Sequence, residues 1–107
     1  MTIEPHNQPE IHIQDGIFTK LMPFAKAGDF TEQHRHEYDH LTIVAWGAVV
    51  VWQDNEFKGW YRAPTGIPVP AGVDHKFMSL MDDTLLLCIH RTDRFEPPEA
   101  AGEPLKE

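Results

Sequence analysis

Four histidines carry the chemical promise of this chain. His34, His36 and His40 lie in the stretch His34-Arg35-His36-Glu37-Tyr38-Asp39-His40, all at even positions, and His75 follows the turn Pro70-Ala71-Gly72. On an extended strand side chains alternate faces, so His34 and His36 point the same way, and His40 returns to that face if the chain stays extended or bends briefly. Three imidazoles can then converge on one point. Imidazole nitrogen suits transition metals, and a pair of ligands two residues apart is about wide enough to chelate. His75 could complete the set from across the fold. The plainer alternative is a solvated polar strand, because Arg35, Glu37 and Asp39 interleave with the histidines.

The elements around these residues read as strands. Asp15-Gly16, Gly28-Asp29, Trp46-Gly47, Asp54-Asn55, Pro64-Thr65-Gly66, Pro70-Ala71-Gly72 and Asp82-Asp83 punctuate short runs rich in Val, Ile, Thr, Phe and Trp. Such runs are too short and too β-branched for helices. Strands are expected near Ile11–Ile13, Ile17–Phe24, Phe30–His36, His40–Ala45, Ala48–Gln53, Glu56–Arg62, Ile67–Val69, His75–Leu80 and Thr84–Arg91. Many short strands at this spacing predict an all-β antiparallel barrel or sandwich. Ala48–Trp52 and Leu85–Ile89 are apolar on both faces, so an outer face should be covered by a second sheet or another subunit. A homodimer is expected on that ground.

Length and charge narrow the rest. With 107 residues the chain has room for one domain. Nine Lys and Arg against 17 Asp and Glu give a formal net charge of −8, and no basic cluster offers a nucleic-acid groove or a membrane-binding patch. No apolar run approaches the ~20 residues of a membrane span, and residues 1–10 lack the apolar core of a secretory signal. A cytoplasmic setting is the default expectation. The barrel is expected over 10–94, between a flexible segment at 1–9 and a flexible Pro- and Glu-rich tail at 95–107. The single Cys88 sits in an apolar run and reads as a small buried hydrophobe.

Two stretches resemble the motifs of a known family. Gly28-Asp-Phe-Thr-Glu-Gln-His34-Arg-His36-Glu-Tyr-Asp-His40-Leu-Thr-Ile-Val-Ala-Trp-Gly47 is similar to the first cupin motif, in which a glycine, a His-x-His pair, a glutamate and a second glycine recur at these spacings. His40 stands where the family usually has its glutamate. Pro70-Ala-Gly72-Val-Asp-His75-Lys-Phe-Met-Ser79 is similar to the second motif, with Ser79 in place of an asparagine. Together the two span about half the chain. The resemblance implies a single cupin jelly-roll barrel and one divalent transition metal ion (Fe, Ni, Zn, Mn or Cu) held by His34, His36, His40 and His75. Four neutral ligands would leave the full +2 charge on the ion, favouring anionic or enolate-like ligands.

Other residues have lesser expectations. His90 is read as lining the pocket or donating a hydrogen bond rather than ligating. Tyr38 and Ser79 are further pocket or supporting candidates. Tyr38, Trp46, Trp52 and Trp60 are expected in the core or an interface, and His6 and His12 on the surface. Glu37 or Asp39 could orient an imidazole or take the carboxylate position. No separate acid, base or nucleophile stands out. A metal-dependent enzyme of the dioxygenase, isomerase or lyase type, a non-catalytic binder of small molecules, and a closed structural metal site therefore all remain open.

Overall fold

The structure is a computed structural model, and it describes residues 8–31 and 35–92. Within these residues every regular element is a strand: β1 (Glu10–Gln14), β2 (Ile17–Phe24), β3 (His40–Trp46), β4 (Ala48–Gln53), β5 (Glu56–Arg62), β6 (Thr65–Val69), β7 (His75–Ser79) and β8 (Thr84–Arg91). They form two antiparallel sheets, one ordered β1-β2-β8-β3-β6 and the other β5-β4-β7. The chain passes repeatedly from one sheet to the other, which wraps them into a jelly roll.

Local sequence explains the tight corners. Asp15 and Gly16 join β1 to β2 with φ values of 52° and 79°, and Asp54 and Asn55 join β4 to β5 with 51° and 67°. Two central residues with positive φ match the right-handed twist of the strands they connect, and Asp, Asn and Gly tolerate that conformation best. Gly47, at φ 83°, carries the chain from β3 into β4 against Thr84, and a Cβ there would lie 2.9 Å from the Thr84 Cα.

Period-two alternation builds the interior. Along β2, Phe18, Lys20, Met22 and Phe24 are buried while their neighbours are not, and β7 buries His75, Phe77 and Ser79 in the same way. Met22, Phe24, Val44, Val49, Val51, Ile67, Val69, Phe77 and Leu86 form one hydrophobic cluster between the sheets. Burial of each such side chain contributes about 1.5–3 kcal/mol. His40 and His75, the first residues of β3 and β7, are buried beside this cluster.

Three expectations are corrected here. The strand expected over Phe30–His36 is not formed in its described part. Phe30 makes an isolated bridge with Met78, Thr31 N–H donates to the Phe77 carbonyl at 2.9 Å, and Arg35 and His36 lie outside any strand. Of the aromatics expected in the core or an interface, Trp46 and Trp60 are not in the core, being 66% and 72% exposed. Trp52 is half-buried beneath the Lys76 ammonium, which lies 5.3 Å from its ring. Cys88 is half-buried, not buried outright.

Candidate metal centre

The open end of the barrel collects imidazoles from three places. His40 is the first residue of β3, pairs with Val69 and is 7% exposed. His75 is the first residue of β7 and is 1% exposed. Its Nδ1 lies 3.5 Å from the Val73 carbonyl, a weak contact. His36 comes from the loop between β2 and β3. Ring centroids are 5.3 Å apart for His36 and His40, 5.6 Å for His36 and His75, and 5.1 Å for His40 and His75.

The loop owes its position to the turn after β6. Arg35 donates to the Asp74 carboxylate through Nε at 2.8 Å and Nη2 at 3.1 Å. Gly72 N–H donates to the His36 carbonyl at 2.8 Å, and Ala71 N–H donates to Asp39 Oδ1 at 2.8 Å. Both stretches that resemble cupin motifs therefore meet through backbone and side-chain groups. Asp39 fastens the loop to the turn after β6 through its Oδ1.

Register places the remaining walls. Phe18 pairs with His90, and Lys20 with Cys88, across β2 and β8. Cys88 in turn pairs with Thr42, with Thr42 Oγ1 and Cys88 Sγ 3.4 Å apart. Because Leu41 pairs with Ile89, His90 falls beside His40. Phe18, Lys20, His40, Cys88 and His90, with Tyr38 and Phe77, line a narrow cavity of about 320 Å³ of atom-free space, open solvent at its mouth included. A wider, more polar depression of about 570 Å³ lies outside and shares Tyr38 and His90 with it. Tyr38 and His90 therefore stand between the two spaces, 4.2 Å apart.

His90 has a defined tautomer. Its Nδ1 lies 2.9 Å from the Arg91 carbonyl and must donate to it, which leaves Nε2 as a lone pair. That atom is buried and has no hydrogen-bond partner among the described residues. Burial pushes the His90 pKa below the ordinary imidazole value, against a smaller upward effect of the bond to Arg91. The ring also stacks on Phe18 at 4.5 Å.

The donor set suits a transition metal in chemistry and nearly so in spacing. Two imidazoles bound to one ion at about 2.1 Å have ring centroids roughly 5 Å apart. The observed separations are equal to this or a few tenths of an ångström wider. Among the described residues no three His, Cys, Asp or Glu side chains form a ready-made metal group, so His36, His40 and His75 would have to draw in slightly. His34 lies outside the described residues.

The structure thus brings together His36, His40 and His75, with Tyr38 and His90 on the same walls. Ser79 is not among them: its Oγ donates to the Lys26 carbonyl at 2.7 Å, which ties β7 to the turn after β2. His12 is exposed and bonded to Glu10 at 2.6 Å, while His6 lies outside the described residues. Lys20 was missed by motif reading. The signal was its place in the alternation Phe18-x-Lys20-x-Met22-x-Phe24, which points it inward.

No protein-family model and no curated protein sequence matches the chain. Solved structures do. KdgF from Halomonas sp. is 21% identical over 81% of this chain and 82% of its own, with a TM-score of 0.67. A cupin-2 domain containing protein from Shewanella frigidimarina is 20% identical over 83% of this chain and 84% of its own, with a TM-score of 0.66. A cupin superfamily protein from Desulfitobacterium hafniense is likewise 20% identical, over 83% of both chains, with a TM-score of 0.67. The chain has the cupin fold, built as a single jelly-roll barrel.

Proposed function

We propose that the chain is a metal-binding cupin in which His34, His36, His40 and His75 hold one divalent transition metal ion, and that it acts as a metal-dependent enzyme on a small anionic molecule. The observation that carries this reading is the mutual approach of the His36, His40 and His75 rings at a cavity inside the barrel. When bound, the ion would supply Lewis acidity to polarise a carbonyl or carboxylate oxygen. The protein's own groups do the rest. Phe18, Met22 and Phe77 keep bulk water out. The Val73 carbonyl biases the His75 tautomer, and the clamp of Arg35 and Asp39 on the turn at 70–74 holds His36 in place. His90 Nε2, with its Nδ1 proton held by the Arg91 carbonyl, can accept a proton from a molecule in the cavity.

Metal analysis of untagged protein is expected to return about one equivalent of a transition metal. Changing His36 and His75 together to Ala should remove most of it, and His12→Ala should remove none. Metal that survives the double change would overturn the assignment. The narrowness of the cavity favours a second reading, a closed metal site with no room for substrate. An exchangeable water on the bound ion, followed by oxygen uptake or turnover in a screen of small carboxylates and diketones, separates the enzyme from that alternative.

A further inference from the structure

The outer face of the three-stranded sheet carries aromatic rings that the metal reading leaves without a task. Val49 and Val51 face the core, so Val50 and Trp52 point the other way. Register fills two rows on that side, Trp60-Val50-Met78 and Phe57-Trp52-Lys76, and Phe30 extends the first through its bridge with Met78. Phe57 and Trp60 are three positions apart and would fall on opposite faces of a regular strand. A bulge at Lys58, where Val51 pairs with Gly59 and Trp52 with Phe57, turns both to one face. Their ring centroids lie 5.5 Å apart, and they are 54% and 72% exposed. Val50 between them and β7 is only 4% exposed, so neighbouring side chains lie over it and still keep a side open to water. On β7 the Lys76 ammonium lies 4.9 Å from the Phe30 ring and 5.3 Å from the Trp52 ring. The two rings hold the charge in place and offer its donors no oxygen acceptor.

Exposed rings beside a fixed ammonium select a ligand that has both a C–H face and oxygen acceptors. A second copy of the chain fits poorly: lysine is depleted from interface cores, and a stable interface needs about 20–30 residues a side. This patch is a few side chains wide, and the exposed ion pair of Glu56 with Lys58 borders it on β5. A nucleic-acid strand is opposed by the net charge of −8. We propose that this face is a carbohydrate platform, on which a β-1,4-linked glucan stacks the C–H faces of its sugar rings on Trp60 and Phe57 while hydroxyl oxygens further along accept hydrogen bonds from Lys76. Two strand spacings put β5 and β7 about 10 Å apart, so one oligosaccharide reaches both. A β-1,4-linked chain is an extended ribbon that suits a sheet face, whereas an α-1,4-linked chain coils. The platform lies on the opposite face of the sheet from His75 and does not depend on metal.

The test follows the tryptophan indole N–H resonances of ¹⁵N-labelled protein as cellohexaose, or the α-linked maltohexaose, is added to millimolar concentration. Cellohexaose is expected to move the Trp60 and Trp52 signals and to leave that of Trp46, which is 66% exposed on the other sheet. Trp60→Ala should weaken binding at least about tenfold, as truncating a central aromatic anchor does. Lys76→Met should weaken it at least about threefold through the lost hydrogen bonds, and Trp46→Ala should change nothing. Equal affinity for the two sugars, or wild-type binding by Trp60→Ala or by Lys76→Met, would overturn the proposal. Should Trp60→Ala not fold, the wild-type resonances decide: a Trp60 signal that cellohexaose moves no further than that of Trp46 overturns it. So does light scattering in which Trp60→Ala breaks a wild-type dimer into monomers, because a second copy then covers the face. The readout needs no metal, so failure of the metal reading leaves the result standing.

Discussion

A glutamate in place of His40 puts a carboxyl at a position only 7% exposed, with imidazole centroids 5.1 and 5.3 Å from the ring it replaces. Without metal, that carboxyl must ionise in a poorly hydrated place or take up a proton. Protonation caps the cost: at pH 7, starting from an unfolded pKa of ~4.3, the cap is about 4 kcal/mol. Nearby imidazoles and the Lys20 ammonium offset part of this, leaving roughly 2–3 kcal/mol. For a domain of this size each kcal/mol moves the melting temperature by about 4–8 °C, so metal-free His40→Glu should melt some 10–20 °C below the wild type. A bound divalent cation removes the need for the proton. At a free metal concentration of 100 times Kd it returns about 2.7 kcal/mol, enough to recover most of the loss. The assay is a thermal melt of each variant with and without metal, beside metal quantification. His40→Glu should show a large metal-dependent rise, and His40→Ala a small one. If His40→Glu folds but loses metal as thoroughly as His40→Ala, residue 40 does not occupy the ligand position and the mapping of the first motif is wrong.

Gly47→Ala should destabilise by about 2–4 kcal/mol, because a side chain at φ 83° is strained and its Cβ would lie 2.9 Å from the Thr84 backbone; denaturant unfolding reads the loss, and a change under 0.5 kcal/mol would contradict this packing. Since burial holds the His90 pKa down, the folded chain binds that proton less readily than the unfolded one. The stability from neutral His90 is complete above the ordinary value of ~6.5 and is lost as pH falls from there toward the lowered folded value. His90→Gln should flatten that part of the profile between pH 7.5 and 5.5, and an unchanged slope would refute it. Leu41, Ile43, Leu85, Leu87 and Ile89 share the outer face of the five-stranded sheet, and a second copy is the expected cover. Light scattering at micromolar concentration should give about twice the 12.3 kDa chain mass, and Leu87→Glu should halve it; a wild-type monomer would remove the expectation.

The strand pattern was legible because a half-buried strand writes its two faces into alternating residues, and β2, β4, β5 and β8 have the bounds expected of them. Asp15-Gly16 and Asp54-Asn55 marked their hairpins for a similarly local reason: few residues tolerate positive φ. The histidine spacing pointed to the open end of the barrel, where His36, His40 and His75 meet. It did so for a partly mistaken reason, since His36 is presented by a loop and not by a strand face.

What fastens that loop could not be read locally. Asp39 and Ala71, or Arg35 and Asp74, are more than thirty positions apart in the chain, and no pattern in one sequence declares such a pairing. Lys20 shows the same division. Alternation pointed it inward, but only the register against β8 and β3 set it beside Cys88 and below His90. Cys88 and Tyr38 read equally well as core residues until the two sheets closed around a cavity and left them on its wall. By itself the sequence determined most of the strands, their buried faces and the ligand-type residues, because these follow from backbone geometry and hydrophobic periodicity over a few positions. The tertiary structure decided which groups share a space, because that depends on strand order and register, which are set by the summed packing of the whole barrel.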